Sequence, residues 1–327
     1  DDSLVLVTIV STEGSTYRKP GAMMLVSRDQ QFEGMISGGC LEGDLLHHAE
    51  DVFAGGEPRF VTYDMHANDD LVWNLGLGCD GVIHLLLQRL DRRDGFGFLQ
   101  RLETAMASRH AALLALSISI ESKAPLASVA LLDCCGELSG NQDLQRVLIA
   151  ETATGWPKWR YRKVSSTGKE AKDDVILVQI PSRTRVLVCG GGPDAVPVAQ
   201  TLSNLDWEVL VVDHRPAYIQ EGRFPEQCRV IEARPGELSA KIDLDQIDAA
   251  VVMSHHLEND SVYLGQLAGR EIAYIGCLGP AARSVRLKEM ACCPEVKIFG
   301  PVGLDIGAEL PEAIALSLVA EIHAVLN

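Results

Sequence analysis

The sequence predicts an α/β protein of two domains, with an N-terminal α/β domain over residues 1–182 and a doubly wound parallel sheet over residues 183–327. Three observations support this class. A chain of 327 residues is long enough to bury two ordinary cores. Short apolar, β-branched runs alternate with segments of helical periodicity, most regularly in the second half. A run of three glycines at 190–192 lies between one such strand and a helix.

The N-terminal domain is predicted to begin with strands that lead into a helix. Residues 41–53 carry apolar side chains at helical spacing, and residues 96–109 are predicted to form a second helix. Residues 152–174 are polar and weakly periodic, and we interpret them as an inserted segment that holds a strand pair before the strand at 175–180. The strands predicted from apolar, β-branched composition are residues 4–12, 22–27, 32–36, 59–63, 81–88, 111–120, 127–133 and 175–180.

Two cysteines of this domain lie in glycine-rich loops. Ser37-Gly38-Gly39-Cys40 joins a strand to a helix, and Gly78-Cys79 precedes the strand at 81–88. Glycines let the backbone approach a ligand closely, and a helix start favours an anion and the thiolate that binds metals. The alternative is that the cysteines are small buried hydrophobes and the glycines mark tight turns. We predict that these loops bind a cofactor through Ser37, Gly38, Gly39, Cys40, Gly78 and Cys79.

The second domain opens with a nucleotide-binding pattern. A buried strand over 185–189 is followed by Gly190-x-Gly192-x-x-Ala195, a helix over 193–205 and a strand over 207–212. That second strand leads to Asp213, which lies about 20 residues beyond the glycines, where a ribose-binding acid is expected. The pattern predicts a Rossmann-like half in which Gly190, Gly192 and Asp213 bind a nucleotide. The alternative is a Rossmann fold that has lost its nucleotide.

The remaining elements continue the alternation of strands and helices. Strands are predicted over 249–253 and 272–275, and helices over 259–269, 281–290 and 311–326. His255 follows the first of these strands, at the edge of the sheet where α/β proteins bind ligands. We predict that His255 contacts a phosphate or a dinucleotide, and the alternative is a polar loop residue.

Charge and cysteine usage exclude several classes of protein. The net charge of −16 argues against a nucleic-acid partner, and no apolar run is long enough to span a membrane. Nine cysteines without a CxxC pair argue against a disulfide framework and a structural zinc site. We therefore expect a protein of the reducing cytoplasm.

Several ordered motifs resemble the xanthine dehydrogenase accessory factor (XdhC/CoxI) family. They are residues 11–24 (STEGSTYRKPGAMM), 36–42 (ISGGCLE), 76–79 (GLGC), 274–279 (YIGCLG) and 301–307 (PVGLDIG). The resemblance implies an N-terminal XdhC/CoxI-type domain that handles cofactor, followed by the family's Rossmann domain. The sequence departs from the family at Pro193, where relatives usually carry histidine. A role that depends on that histidine is therefore in doubt here.

The same resemblance implies a function in molybdenum enzyme maturation. The protein would bind molybdenum cofactor, as molybdopterin or its dinucleotide form, with Cys40 and Cys79 near the metal. It would protect the cofactor during sulfuration and deliver it to an apo molybdenum hydroxylase of the xanthine dehydrogenase type. A cysteine desulfurase partner and a homodimer are also implied, and an accessory role is favoured over catalysis.

Two other functions remain open on the sequence. An NAD(P)-dependent oxidoreductase fits the glycine pattern and Asp213, but no Tyr-x-x-x-Lys pair or comparable catalytic set follows. An adaptor that only docks onto an apo-enzyme would need neither ligand. Small molecules released from the denatured protein would separate a pterin carrier from a nicotinamide enzyme.

Overall fold

The computed structural model divides the chain into two compact units, Asp1–Ser182 and Arg183–Asn327. The structure describes residues 3–65, 81–91, 99–100, 102–104, 111–118, 129–133, 135–153, 155–156, 160–167 and 172–327. Among the helices within these ranges, none combines the length and apolar character that a membrane crossing requires.

The first unit begins with an antiparallel sheet of strand order β3-β2-β1-β5-β4. Central β1 is apolar on both faces, because one face covers a helix and the other covers a second sheet. Val5, Val7 and Ile9 are fully buried on the helix side, against α1 (Glu42–Gly55). The strands are β1 (Leu4–Gly14), β2 (Met23–Ser27), β3 (Phe32–Gly34), β4 (Arg59–Asp64) and β5 (Gly81–Leu90).

The second sheet of this unit has the order β8-β7-β6-β10-β9 and is also antiparallel. Leu114 and Ile176 of this sheet share one core with Leu6 and Leu86 of the first. The Tyr161 hydroxyl also donates to the Val10 carbonyl at 2.7 Å. Its elements are β6 (Ala112–Ile118), β7 (Val129–Asp133), β8 (Leu138–Gly140), α2 (Gln142–Thr152), β9 (Tyr161–Thr167) and β10 (Lys172–Ile180).

The second unit is a parallel sheet of order β13-β12-β11-β14-β15. Val186 and Val188 face one helical layer and Leu187 and Cys189 face the other, so the sheet is covered on both sides. Its strands are β11 (Arg185–Cys189), β12 (Glu208–Asp213), β13 (Arg229–Glu232), β14 (Ala249–Val252) and β15 (Tyr274–Cys277). Its helices are α3 (Ala195–Asn204), α4 (Leu238–Lys241), α5 (Leu257–Leu267), α6 (Ala281–Met290) and α7 (Pro311–Leu326).

The predicted α/β class and the doubly wound C-terminal sheet are confirmed. The predicted ends of the strands at 4–12 and 32–36 were wrong: β1 continues to Gly14 and β3 ends at Gly34. Gly34 ends its strand at φ +95°, a conformation that glycine adopts without strain. Gly78, Cys79 and most of the helix predicted over 96–109 lie outside the described residues.

Candidate functional site

The turn before α1 is organised around the hydroxyl of Ser37. Ser37 Oγ accepts hydrogen bonds from the backbone amides of Gly39 (3.2 Å), Cys40 (3.1 Å) and Leu41 (3.0 Å). These amides precede the first helical residue, Glu42, where chain ends otherwise leave donors unsatisfied. We predicted that the amides at this helix start would favour an anion. They are already hydrogen-bonded within the turn.

Glu42 closes the same turn from the helix side. Its carboxylate accepts from the Ser37 hydroxyl, from the Ser37 amide at 2.8 Å and from the Ile36 amide at 3.2 Å. Burial by itself raises the pKa of the Glu42 carboxyl, but the hydrogen bonds from Ser37 and the backbone outweigh it and lower the pKa overall. A buried, ionised carboxylate thus holds the turn rigid at neutral pH.

Cys40 is a free, partly exposed thiol at the outer corner of this turn. Gly38 and Gly39 lie beside it with no atom within 4 Å of the position that a Cβ would take, so the space above them is open. Gly39 has φ +104°, which favours glycine. The turn therefore presents a thiol next to a surface that a flat ligand can approach.

We expect Ser37→Ala to destabilise the first unit by about 2 kcal/mol at neutral pH, because Glu42 and the turn amides lose their partner. The Glu42 pKa is lowered by folding, so its contribution is present above the ordinary glutamate pKa and is lost as pH falls through the folded value. The cost of the substitution should therefore shrink at acidic pH. Urea unfolding read by hydrogen exchange of first-unit peptides measures it.

Ser27→Ala is the matched control, because among the described residues the Ser27 hydroxyl bonds at the exposed surface, to Asp29 and the Gln31 carbonyl. It should change stability by less than about 0.5 kcal/mol at either pH. Equal costs for the two serine variants would contradict the role assigned to Ser37.

In the second unit, His255 and Asp194 meet at the point where the strand order reverses. Asp194 follows β11 and His255 follows β14, and His255 Nε2 lies 2.7 Å from Asp194 Oδ2. His255 has φ +63°, a left-handed conformation that is strained for a non-glycine residue. Its ring lies 3.9 Å from the Cβ position of Gly192, so the predicted residues Gly192 and His255 are together.

The Asp194 carboxylate occupies the space in front of the glycine turn. Its Oδ1 is 2.8 Å from the Cβ position of Gly192, and the residue is the N-cap of α3. A helix N-terminus favours an anion, and here a side-chain carboxylate of the protein is at that end. A phosphate at this turn would have to share the position with Asp194.

Asp213 is buried and all of its hydrogen-bonding capacity is used within the protein. Oδ1 accepts from the amide and Nε of Arg215, each at 2.9 Å, and Oδ2 accepts from Arg215 Nη2 (2.7 Å) and the Gly191 amide (2.8 Å). Although burial raises its pKa, the bonds from Arg215 and Gly191 outweigh this effect and lower the pKa. A ribose hydroxyl could bind Asp213 only by displacing Arg215.

Asp260, which the sequence analysis did not single out, fixes the loop that carries His255. Its carboxylate is 1% exposed and accepts from the Ser254 amide (3.1 Å), the Ser254 hydroxyl (2.5 Å) and Arg283 Nη2 (2.5 Å). It lies in the first turn of α5, six residues after Ser254. A polar residue at a strand end followed by an acid in the next helical turn was the signal available in the sequence.

In the second unit, Gly190, Gly192 and His255 lie in one cluster of loops, and Asp213 is hydrogen-bonded to the Gly191 amide of that cluster. In the first unit, residues 37–40 form the turn before α1. Within the described ranges, no group of three or more His, Cys, Asp or Glu side chains is arranged to hold a metal ion. The prediction that Cys79 joins Cys40 concerns a residue outside those ranges and stays a prediction.

These features define a two-unit α/β protein whose second unit is a Rossmann domain and whose first unit presents a cysteine in a glycine-rich turn. The chain belongs to the XdhC and CoxI family. The model of that family matches residues 1–64, and the model of the XdhC Rossmann domain matches residues 186–322.

Relatives resemble the chain over nearly its whole length. It is 34% identical to a probable xanthine dehydrogenase subunit of Bacillus subtilis, over 98% of this chain and 92% of the relative. It is 24% identical to the molybdenum cofactor insertion chaperone PaoD of Escherichia coli, over 98% of this chain and 83% of the relative. A crystal structure of a xanthine dehydrogenase from Bacillus halodurans superposes with a TM-score of 0.81 at 30% identity, covering 100% and 92% of the two chains.

Proposed function

We propose that this protein acts in the maturation of a molybdenum hydroxylase of the xanthine dehydrogenase type. It binds molybdenum cofactor, protects it during sulfuration and delivers it to the apo-enzyme. The family membership and the name of the Escherichia coli relative, a molybdenum cofactor insertion chaperone, support a maturation role. The cofactor is cargo in this proposal, and the protein itself performs no catalysis on it.

The observation that carries the proposal is the rigid turn around Ser37. Its hydroxyl and the Glu42 carboxylate hold the turn, so the backbone that carries Cys40 is in place before any ligand arrives. The open space above Gly38 and Gly39 admits a flat ring system such as a pterin against the backbone. Thiolates are ligands for soft metals, so Cys40 is suited to contact molybdenum cargo at this surface.

We expect Cys40→Ser to lower the molybdenum and pterin that copurify with the protein by about tenfold, a loss of about 1.4 kcal/mol of binding free energy. Elemental analysis and pterin fluorescence after denaturation measure the two components. The fold should persist, because Cys40 is partly exposed and a serine keeps the backbone bonds of the turn.

Cys135→Ser is the control, since Cys135 is an exposed cysteine of the same unit that forms no disulfide and lies outside the turn. It should leave the bound cofactor at the wild-type level. Wild-type occupancy in Cys40→Ser, or an equal loss in both variants, would contradict the role of Cys40.

We propose the partners that the family resemblance implies. An apo molybdenum hydroxylase receives the cofactor, a cysteine desulfurase supplies sulfur, and two copies of the chain form a homodimer. Among the described residues, no cysteine forms a disulfide.

An NAD(P)-dependent oxidoreductase is the second candidate, and the glycine turn of the Rossmann domain is the observation in its favour. Two contacts weigh against it. Asp213 has no free acceptor for a ribose hydroxyl, and the Asp194 carboxylate lies where a diphosphate would bind. We therefore keep the maturation role as the main proposal.

A further inference from the structure

Residues 301–310 form a largely exposed loop that leads into α7 and takes no part in the sites described above. Large apolar side chains of this loop and of the first two turns of α7 are between 43% and 69% exposed. They are Leu304, Ile306, Leu310 and Leu316, and we call this surface the α7 patch. Single exposed apolar residues are ordinary, but four of them within residues 304–316 indicate an interaction surface.

Two side chains of α7 hold this loop against the helix. The buried hydroxyl of Ser317 donates to the Leu304 carbonyl at 2.5 Å, and the Ser317 carbonyl accepts from the Leu304 amide at 3.3 Å. Glu321 Oε2 accepts from the Gly303 amide at 2.8 Å and from the hydroxyl of buried Tyr274 at 2.6 Å. The loop backbone is therefore ordered before a partner arrives, which lowers the entropy that association costs.

The residues of the α7 patch lie near one another. Leu304 is hydrogen-bonded to Ser317, and Leu310 is the N-cap of α7, so about 10 Å of helical rise separates these two points of the patch. Ile306 lies on the loop between them, and its amide donates to the Leu304 carbonyl at 2.9 Å. A cluster of this extent fits the centre of a protein interface, where large apolar side chains of two partners meet.

The charge within the α7 patch is negative. Asp305, Glu309 and Glu312 are exposed and lie between the apolar residues, and residues 298–322 contain no lysine or arginine. A second copy of the chain would bring the same three carboxylates against them, and like charges that meet at an interface are unfavourable. A partner that carries lysine or arginine around an apolar centre would complement the patch.

We propose that the α7 patch is the surface through which this protein docks onto its apo molybdenum hydroxylase, at a site where basic side chains surround an apolar centre. The identity of the partner rests on the proposed function, whereas the chemistry of its docking site follows from the patch. Docking involves no residue of the Cys40 turn, which belongs to the other unit, so docking and cofactor binding can be measured separately.

Surface plasmon resonance tests the apolar part of the proposal, with the full chain and the purified apo form of a xanthine dehydrogenase-type molybdenum hydroxylase from the same organism. Ile306→Ser should weaken docking about tenfold, because it removes an apolar side chain from the patch. Val285→Ser is the matched control, since Val285 is 59% exposed on α6, which packs on the other face of the sheet. It should leave the affinity within about twofold of wild type.

Charge reversal tests the acidic part. Glu309→Lys should slow association about tenfold at low salt and make the association rate less dependent on ionic strength, because attraction to a basic partner is screened by salt. Glu289→Lys makes the same change of charge at an exposed position of α6, outside the patch, and should keep the wild-type rate within about twofold. Loss of folding would not alter the salt dependence of one variant alone.

Three results would overturn the proposal. They are the absence of docking by the wild-type chain, equal losses in Ile306→Ser and Val285→Ser, and a dimer that dissociates in Ile306→Ser while docking is unchanged. Analytical ultracentrifugation detects the last, which would assign the patch to contact between two copies.

Copurified molybdenum separates this proposal from the proposed function. The patch variants should keep the wild-type molybdenum content, whereas Cys40→Ser should lose it and still dock. Failure of docking with molybdenum present therefore overturns the patch alone, and absence of molybdenum from the wild-type chain contradicts cofactor binding alone.

Discussion

Asp260→Ala is expected to lower the free energy of unfolding of the second unit by about 3–5 kcal/mol, the scale for removing one partner of a buried ion pair. Asp260 is 1% exposed and receives the Arg283 guanidinium at 2.5 Å, together with the amide and hydroxyl of Ser254. Without the carboxylate, Arg283 keeps its charge in a position that is 22% exposed. The Ser254 donors also lose their acceptor.

The neighbourhood of Asp260 supports a large effect. Burial, and next to it the charge of Asp260, raise the pKa of both the Cys189 and the Cys277 thiol, so these thiols stay neutral around the carboxylate. They offer Arg283 no substitute anion. Chemical unfolding followed by hydrogen exchange of second-unit peptides measures the loss.

Asp245→Ala provides the comparison for Asp260. Asp245 also pairs with an arginine, Arg270, at 2.8 Å, but its side chain is 65% exposed. An exposed pair of this kind contributes about 0–1 kcal/mol. If both aspartate variants were equally stable, burial would not be the source of the Asp260 effect.

Gly190→Ala is expected to cost about 3 kcal/mol of the same unfolding free energy. An added Cβ would lie 2.7 Å from the carbonyl carbon and oxygen of Met253 and 2.7 Å from the Ser254 Cα. All three are backbone atoms, so relief requires separating the ends of β11 and β14. Gly190 also has φ +119°, which adds the strain of a left-handed alanine.

Gly222→Ala separates the two contributions, because Gly222 has φ +76° but nothing within 4 Å of its Cβ position. It should cost about 1 kcal/mol, from the backbone conformation alone. A Gly190→Ala variant as stable as Gly222→Ala would mean that the two strand ends can move apart freely.

The parallel sheet was predictable because its central strands are buried on both faces and are continuously apolar. β11 and β14 were predicted to within one residue for this reason. Edge strand β13 was missed because only four residues form it, and Arg229 and Glu232 at its ends are exposed. Composition cannot separate such a strand from a loop.

Helix α2 was missed because its apolar face is narrow. Only Leu144 and Leu148 of the helix are buried, and Val147 packs against the same core, so its apolar repeat covers a single turn and is shorter than that of a typical core helix. The signal that could have found it was Asn141, whose side chain accepts from the amides of Asp143 and Leu144 as an N-cap.

The candidate sites were predictable in position but not in their contacts. Spacing placed Asp213 at the end of β12, yet it could not reveal that Arg215, two residues later, turns back onto the carboxylate. Asp194 was missed because its partner His255 is 61 residues away in sequence. Side-chain partners brought together by the fold leave no local pattern.

The strand order of the second antiparallel sheet constrains how the first unit is made on the ribosome. β10 is the last element of that unit along the chain, yet it lies inside the sheet, between β6 and β9. The inner edge of β6 therefore stays unpaired until residues 172–180 have been synthesised. A nascent chain that stops earlier carries an apolar, unpaired edge, the kind of surface that chaperones retain and that aggregates when they do not.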